Sequence, residues 1–307
     1  MFHVKQSEKN AKDTFGVDTP LAREIADLSA RRRALEAVDV QFAGDTRVLT
    51  VSNQKGGVGK TTTAVNIAAA LADLGAKVLV IDLDPQGNAS TALGIPHDTD
   101  VRSIYDVLID DVPLADVVQQ SPESENLFCA PSTIHLAGAE IELVAQVARE
   151  HRLSRALAEY LKTSAVDFVI IDCPPSLGLL TINAFTAASE VFIPIQCEYY
   201  ALEGLSQLLG SIQMIQKHLN PALHLSTILL TMFDARTRLA QQVADEVRNH
   251  FPSQVLDTVI PRSVRVSEAP SFGQTVVAYD HNSAGAIAYR EAAVEIARRT
   301  HSMSKEN

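Results

Sequence analysis

A glycine-rich segment with two lysines, residues 51–62, holds the residue types best suited to chemistry in this sequence. An apolar run that predicts a buried strand, residues 48–51, leads into it, and residues 62–74 have apolar positions at helical spacing. Glycines between a strand and a helix let backbone N–H groups turn inward around phosphate oxygens, and the helix N-terminus adds partial positive charge. The segment therefore predicts a phosphate-binding loop.

Different residues of this loop can bind different parts of a nucleotide and its metal ion. Lys60 can reach the β- and γ-phosphates of a nucleotide, and the Thr61 hydroxyl can bind Mg²⁺. Gln54 stands where the strict pattern G-x-x-x-x-G-K-[ST] has glycine. The alternative is a glycine-rich turn whose lysines occur by chance. We predict that the residues holding the phosphates are Gly56, Gly57, Val58, Gly59, Lys60, Thr61 and Thr62.

Two further apolar runs end in acidic residues. Residues 77–82 are followed closely by Asp84, and residues 168–172 end at Asp172. Parallel strands that are buried on both faces read as continuous Val/Ile runs, and ligands bind at their carboxyl ends. We therefore expect Asp172 to hold Mg²⁺ through water and Asp84 to orient an attacking water. The alternative for each aspartate is a helix cap or turn residue, a common use of Asp after a strand.

Five blocks in order resemble the ParA/Soj chromosome-partitioning ATPases, which belong to the MinD/ParA superfamily with a deviant Walker A loop. The resemblance covers about residues 46 to 300 and leaves the first 45 residues outside it. The matching blocks are residues 53–63 (NQKGGVGKTTT), 82–88 (DLDPQGN), 170–178 (IIDCPPSLG), 196–204 (QCEYYALEG) and 260–270 (IPRSVRVSEAP).

The resemblance implies an ATPase that forms an ATP-sandwich homodimer, binds double-stranded DNA without sequence preference and is stimulated by a ParB-type DNA-binding partner. It gives Lys55 the role of the signature lysine, which reaches the nucleotide of the other subunit. A cation supplied in trans stabilises the transferring phosphoryl group only when two subunits meet. The predicted catalytic residues are then Lys55, Lys60 and Asp84, and Lys55 also belongs to the nucleotide site. Thr61, Asp84 and Asp172 are the predicted residues around Mg²⁺.

The sequence gives only a weak indication of which residues contact the purine base of the nucleotide. The loop after the strand that ends at Met232, and an expected turn at Ile260 and Pro261, lie where relatives of this fold enclose the purine. Met232 and Pro261 are therefore candidate base contacts. The preference for ATP over GTP rests on the resemblance alone, because a phosphate loop does not read the base.

DNA binding has to be reconciled with an acidic chain. The net charge is −11, and even residues 231–270 carry five arginines against five acids. A globally acidic protein is repelled by DNA at long range, so the contacts must be local. The resemblance places Arg236 and Arg265 at the family's DNA-contacting positions, and Arg262 lies close in sequence to Arg265. The alternative is that these arginines form surface ion pairs with Asp234 or Glu268.

Composition limits the class of protein. The chain has 307 residues, 46% of them hydrophobic and 21% charged, which is enough for one α/β domain with a full core. It has no run of 18 apolar residues, and its N-terminal residues lack the apolar core of a signal peptide. We expect a cytoplasmic, nucleoid-associated protein. Three cysteines without a CxxC pair make disulfide and metal roles weak candidates, so we expect Cys129 and Cys197 to be buried thiols. Cys173 could be either a small buried residue or a nucleotide or redox sensor.

Alternating strand and helix patterns predict a doubly wound, mostly parallel sheet flanked by helices. The expected divisions are an N-terminal extension over residues 1–45, an ATPase domain over 46–300 and a polar tail over 301–307. Residues 1–18 are expected to be mobile. A short helix near 19–38 is predicted from Thr19 as N-cap and Pro20 at the first helical position.

Three other functions remain open from sequence. A MinD-like membrane-cycling ATPase needs a C-terminal amphipathic helix. Residues 300–307 are polar and offer no apolar face, which disfavours this function. An iron–sulfur carrier needs paired bridging cysteines, which this spacing does not provide. A ParA-like ATPase that positions a protein cargo would share every feature of the nucleotide site. We therefore expect no membrane partner, and a screen of partners would separate DNA partitioning from cargo positioning.

Overall fold

The structure, a computed structural model of the chain, describes residues 19–42, 44–198 and 201–303. The chain divides into two compact units, with the boundary between Val38 and Asp39. The predicted mobility of residues 1–18 and the end of the predicted polar tail, residues 304–307, lie outside the described residues.

The described part of the first unit is one helix, α1, which spans Pro20–Glu36. Thr19 has extended backbone dihedrals, and its hydroxyl accepts a hydrogen bond from the Ala22 amide. Pro20 follows at the first helical position, where its missing N–H costs nothing. The helix predicted from Thr19 and Pro20 is therefore confirmed.

The second unit is built on one eight-stranded sheet in the order β3-β4-β2-β5-β1-β6-β7-β8. Every neighbouring pair is parallel except β3 with β4. The strands are β1 (Arg47–Val51), β2 (Val78–Asp82), β3 (Gln119–Gln120), β4 (Leu127–Ala130), β5 (Phe168–Asp172), β6 (Glu190–Gln196), β7 (His224–Phe233) and β8 (Val255–Pro261). The predicted doubly wound, mostly parallel architecture is confirmed.

Eleven helices join and cover these strands within the described part of the second unit. They are α2 (Lys60–Asp73), α3 (Asn88–Ala92), α4 (Ile104–Ile109), α5 (Leu136–Leu143), α6 (Arg152–Leu161), α7 (Leu179–Ala187), α8 (Ala201–His218), α9 (Arg238–His250), α10 (Val264–Glu268), α11 (Val276–Tyr279) and α12 (Ala284–Met303). Two short 3₁₀ segments, Leu114–Asp116 and Ala269–Phe272, complete the regular structure.

The core lies on both faces of the sheet. Successive residues of β1 belong to different hydrophobic clusters. Val48 packs in the cluster that includes α4 to α9, and Leu49 packs in the cluster that includes α2 and α12. Successive side chains of a strand point to opposite faces, so a strand covered on both sides must be apolar throughout. This explains why the central strands read as uninterrupted Val/Ile/Leu runs.

The chain reverses direction across the sheet at β1. It moves from β1 to β2 and β4 on one side, returns to β5, and then continues to β6, β7 and β8 on the other side. In such a sheet the ligand cleft forms at the carboxyl ends of the strands beside the reversal. The phosphate loop follows β1, and the two acidic clusters follow β2 and β5, so all three reach this edge.

One local prediction is wrong. The expected turn at Ile260 and Pro261 is the end of strand β8, and the chain leaves the sheet only after Pro261. The strand lies at the edge of the sheet, where Pro is tolerated because one side of the strand has no ladder partner. Exposed Asp257 breaks the continuous apolar pattern that marks the buried strands.

Candidate nucleotide-binding site

The loop between β1 and α2 has the backbone of an anion cradle. Gly57 and Gly59 have φ values of 74° and 87°, in the left-handed region that strongly favours glycine. Their N–H groups have no acceptor among the described residues. Gly59 also occupies the N-cap of α2 without a side-chain cap, so the helix N-terminus is open toward the loop. Free N–H groups at a helix N-terminus bind phosphate oxygens.

Lys60 is the buried cation of this loop. Its side-chain ammonium donates to the Lys55 carbonyl oxygen over 3.2 Å. Burial lowers the pKa of Lys60, and the negative charges of Asp172 and Asp84 partly oppose that effect. A phosphate beside the ammonium would favour its charged form, so the site is built for an anionic ligand.

Asp172, the last residue of β5, is the strongest sign of a bound cation. It is fully buried, and neither carboxylate oxygen accepts a hydrogen bond of ordinary geometry from any described residue. Burial and the neighbouring Asp82 hold the pKa of Asp172 well above its usual range, and the nearby Thr61 hydroxyl lowers it only in part. Burying an unpaired carboxylate is costly, and a divalent cation relieves that cost.

Mg²⁺ fits this arrangement only together with the nucleotide. The described residues contain no group of three or more His, Cys, Asp or Glu side chains that could hold a metal ion. Mg²⁺ in nucleotide sites is bound by one or two protein oxygens, by phosphates and by waters. The side chains of Thr61, Asp172 and the half-buried Asp84 are the candidate protein oxygens at this edge, and their contact with Mg²⁺ stays a prediction.

Asp82 is a buried carboxylate to which the sequence gave us no reason to assign a role. Its Oδ2 accepts hydrogen bonds from the Ser90 amide and hydroxyl over 2.8 and 2.7 Å, and its Oδ1 accepts from the Asp84 amide over 3.1 Å. Burial raises the pKa of Asp82 to about 6, against these hydrogen bonds. Asp82 thus fixes the loop that carries Asp84 into the cleft.

Lys55, the second lysine of the loop, is paired with a carboxylate from the end of β6. Its amide donates to Asn53 Oδ1 over 3.0 Å, and its ammonium lies 2.5 Å from Glu198 Oε2. Asn53 in turn donates to the Pro194 carbonyl oxygen over 2.9 Å. Asn53 and Glu198 belong to blocks 53–63 and 196–204 of the family pattern, but nothing in their spacing reveals these contacts.

The three cysteines are free and buried. Cys173, next to Asp172, lies 3.0 Å from the Thr50 hydroxyl, and burial raises its pKa to about 12. Cys197 is also buried, and desolvation raises its pKa to about 11. A thiol becomes reactive as its thiolate, so these thiols are inert at neutral pH. The burial predicted for Cys129 and Cys197 is confirmed.

Met232 lies against the phosphate loop. Its φ of 50° is unusual for a non-glycine residue, and its Cε is 3.9 Å from the position that a Cβ on Gly59 would occupy. Pro261 ends the neighbouring strand and pairs in register with Phe233. Contact of Met232 and Pro261 with the base stays a prediction.

The three predicted DNA-contacting arginines follow β7 and β8 at the same sheet edge. Arg236 makes two hydrogen bonds of 2.8 Å to Asp234, although its side chain is 89% exposed. The pKa of Asp234 falls to about 2, chiefly because of these Arg236 bonds and to a lesser extent because of Arg262. The exposed Arg262 donates its amide to the Phe233 carbonyl oxygen over 3.3 Å.

Arg265 forms exposed ion pairs with Glu268 over 3.2 Å and with Asp280 over 3.5 Å. The ion-pair alternative to DNA contact is thus present in the structure. Exposed pairs of this kind contribute little free energy and can be exchanged for a phosphate contact. The arginines therefore stay candidates for DNA binding.

Comparison with known proteins separates the families that share such a loop. Residues 46–225 match the model of a family described as an AAA domain. Sporulation initiation inhibitor protein Soj of Bacillus subtilis is 55% identical over 251 residues, which are 82% of this chain and 98% of that protein. Chromosome partitioning protein ParA of Myxococcus xanthus is 50% identical over 257 residues, 82% of this chain and 88% of the relative.

The chain belongs to the Soj/ParA family. Chromosome-partitioning ATPase Soj of Thermus thermophilus is another relative, 47% identical over 253 residues that make up 82% of this chain and 96% of the relative. The family was predicted from the sequence, and this prediction is confirmed.

Solved structures agree with the Soj/ParA fold. Cobyrinic acid a,c-diamide synthase of Mycobacterium smegmatis, with bound ADP and magnesium, has a TM-score of 0.73 and 41% identity, over 84% of this chain and 97% of that one. Cell division ATPase MinD of Pyrococcus furiosus has a TM-score of 0.68 and 26% identity, over 83% of this chain and 100% of that one. Within the described residues, no helix combines the length and apolar character needed to cross a membrane.

Proposed function

We propose that this Soj/ParA protein is an ATP-dependent DNA-partitioning switch. ATP binding promotes a sandwich dimer, the dimer binds double-stranded DNA without sequence preference, and a ParB-type partner stimulates ATP hydrolysis that releases it. The observation that carries the proposal is the pair of lysines on one loop. Lys60 is buried beside the phosphate cradle, and Lys55 pairs with Glu198.

The nucleotide is ATP with Mg²⁺. The N–H groups of Gly57 and Gly59 and the ammonium of Lys60 bind the β- and γ-phosphates, as their free hydrogen-bonding capacity and burial support. Thr61, Asp84 and Asp172 hold Mg²⁺, directly or through water, and the ion neutralises phosphate charge when bound. The ADP and magnesium in the M. smegmatis structure support this assignment.

Both subunits of the dimer contribute residues to the hydrolysis of each ATP. Asp84 orients the attacking water, and Asp82 keeps the Asp84 loop in place through the hydrogen bond to the Asp84 amide. Lys55 leaves Glu198 and supplies positive charge to the γ-phosphate on the partner subunit. Because that charge arrives only on dimerisation, an isolated subunit hydrolyses ATP slowly.

Arg236 and Arg265 of each subunit make the phosphate contacts with DNA, and Arg262 is a further candidate close in sequence to Arg265. A single acidic subunit, with a net charge of −11, offers too few phosphate contacts for tight binding. A dimer brings two sets of arginines together, so ATP controls DNA affinity through dimerisation. This places the protein in the cytoplasm on the nucleoid, with a ParB-type protein on the DNA as its partner.

Partitioning is preferred to the function named for the M. smegmatis structure. That protein is called a diamide synthase and is 41% identical, whereas the partitioning proteins Soj and ParA are 47–55% identical. A ParA-like ATPase that positions a protein cargo would use the same nucleotide site, and a screen for a DNA-bound ParB-type partner distinguishes the two functions.

The Asp84→Ala variant tests the proposed switch. The variant loses the Asp84 contact to the Gln86 amide, but Asp82 still accepts from the amides of residue 84 and Ser90. It should therefore keep ATP binding and the ATP-dependent dimer. Its turnover should fall by about 100-fold or more, the usual range for loss of a general base. Turnover of [γ-³²P]ATP and dimer fraction by light scattering are measured in parallel, with Lys60→Ala as the control that abolishes nucleotide binding. Undiminished hydrolysis in Asp84→Ala would contradict the role of Asp84.

A further inference from the structure

A hydrogen bond joins the phosphate loop to a strand far away in sequence. The Thr231 hydroxyl donates to the Val58 carbonyl oxygen over 2.9 Å, and the two residues are 173 positions apart. Both are buried, with exposed fractions of 2% and 1%. Thr231 lies near the end of β7, two strands away from the strand that precedes the loop. A buried hydroxyl of this kind costs free energy unless it is paired, so the bond specifies one arrangement of the loop.

The bond sets the direction of the peptide that joins Val58 to Gly59. The described residues contain no cis peptide bond, and in a trans peptide the C=O and N–H groups point in opposite directions. Anchoring the Val58 carbonyl to Thr231 therefore directs the Gly59 N–H away from β7. That N–H has no acceptor among the described residues, and Gly59 has φ of 87° and occupies the N-cap of α2.

We propose that Thr231 is a positioning residue for the phosphate loop: it holds the Val58–Gly59 peptide so that the Gly59 N–H faces the triphosphate. Glycine-rich loops can rotate such a peptide at little steric cost, since glycine occupies left- and right-handed regions about equally. Thr231 removes that freedom before the nucleotide arrives. Pre-organisation of a donor in this way raises affinity without a direct contact to the ligand.

The same strand end continues directly to the arginines. Met232 follows Thr231 with φ of 50° and packs beside Gly59, and the Phe233 carbonyl accepts the Arg262 amide. Asp234 then holds Arg236. These contacts join the phosphate loop to the Arg236 loop, and we propose that nucleotide binding is transmitted along them. The link to the Arg236 loop rests on the proposed DNA-binding function, whereas the positioning role of Thr231 does not.

Thr231→Val tests the positioning role, because valine keeps the shape of threonine and removes the hydroxyl. We expect ATP affinity in the presence of Mg²⁺ to fall by about 3- to 10-fold, the usual effect of one neutral hydrogen bond. Thr231→Ser, which keeps the hydroxyl, should restore affinity to within about twofold, whereas a role in packing alone would not be rescued.

Thr227→Val is the matched control. Thr227 is fully buried four residues earlier on β7, on the same face, and its hydroxyl contacts the Ser226 hydroxyl and not the phosphate loop. Affinities are measured by titration with a fluorescent ATP analogue, and circular dichroism checks folding. Wild-type affinity in Thr231→Val, or an equal loss in Thr227→Val, would overturn the positioning role.

Binding to duplex DNA at saturating ATP tests the link to the arginines. We expect Thr231→Val to lower the ratio of DNA affinities with ATP and ADP, even when every site is filled. An unchanged ratio would overturn the link and leave the proposed function standing. If the wild-type protein itself does not bind DNA with ATP, the proposed function fails, and the nucleotide titration alone decides the role of Thr231.

Discussion

The ammonium of Lys55 lies 2.5 Å from a carboxylate oxygen of Glu198, and the two residues are 143 positions apart in sequence. Gln196 donates a hydrogen bond to the other carboxylate oxygen and so fixes the orientation of Glu198. The single subunit therefore keeps the lysine of the proposed trans contact on its own surface. In the proposed dimer, Lys55 exchanges this carboxylate for a phosphate of the other subunit's nucleotide.

Glu198→Gln should raise unstimulated ATP turnover, because the neutral amide competes less for Lys55. Both side chains are about half exposed, and pairs of this kind contribute about 0.2 to 1 kcal/mol, so the increase should be at most about fivefold. Steady-state phosphate release at low protein concentration measures it. Lys55→Ala is the control, and it should abolish the increase when combined with Glu198→Gln. A fall in turnover in Glu198→Gln alone would contradict this account.

Arg265→Ala should weaken DNA binding and leave ATP binding intact. If Arg236 and Arg265 are the phosphate contacts, a dimer makes about four, and the slope of log affinity against log salt is about −3.6 for wild type and about −1.8 for the variant. Titrations of random-sequence duplex DNA at several salt concentrations give both slopes.

Arg102→Ala is the matched control for this prediction, because Arg102 is also an exposed arginine in an ion pair, with Asp116. It should leave the slope unchanged. A wild-type slope near zero would exclude phosphate contacts, and equal loss of ATP and DNA binding in Arg265→Ala would indicate a folding defect.

Asp82 should make the nucleotide-free protein less stable as the pH rises. Its folded-state pKa of about 6 is raised from 3.8, so protonation of Asp82 favours folding at acid pH, and that contribution is lost as the pH rises through about 6. One pKa unit corresponds to about 1.4 kcal/mol, so the loss is on the order of 3 kcal/mol.

Asp82→Asn cannot ionise and should show a smaller fall in the free energy of unfolding between about pH 4 and pH 7. Urea denaturation at several pH values measures the fall for both proteins. Asp245→Asn, an exposed carboxylate on α9, is the control and should follow the wild type. If Asp82→Asn falls as steeply as the wild type, the buried carboxylate is not the cause.

Much of this fold could be predicted because its central strands are buried on both faces. β5 spans Phe168–Asp172 as predicted, since its five residues are all buried and all but the last are apolar. β8 was missed because an edge strand combines apolar and polar residues, such as Leu256 and Asp257. Local pattern therefore predicts the centre of the sheet better than its edges.

The candidate site shows the same division. The phosphate loop and the two acidic strand ends could be predicted because each is a short motif with its own chemistry. Glu198 opposite Lys55 and Thr231 opposite Val58 could not, because only the packing of strands distant in sequence brings them together. The role of Asp82 depends on its burial beside Asp172, which sequence spacing does not reveal.

Binding of the purified protein to random-sequence duplex DNA, with ATP and Mg²⁺ against ADP and Mg²⁺ at one moderate salt concentration, tests the central claim most directly. The proposed switch predicts tight binding with ATP and weak binding with ADP, because only the ATP dimer brings two sets of arginines together. Equal binding with both nucleotides, or no binding with either, would contradict the claim that ATP controls DNA binding.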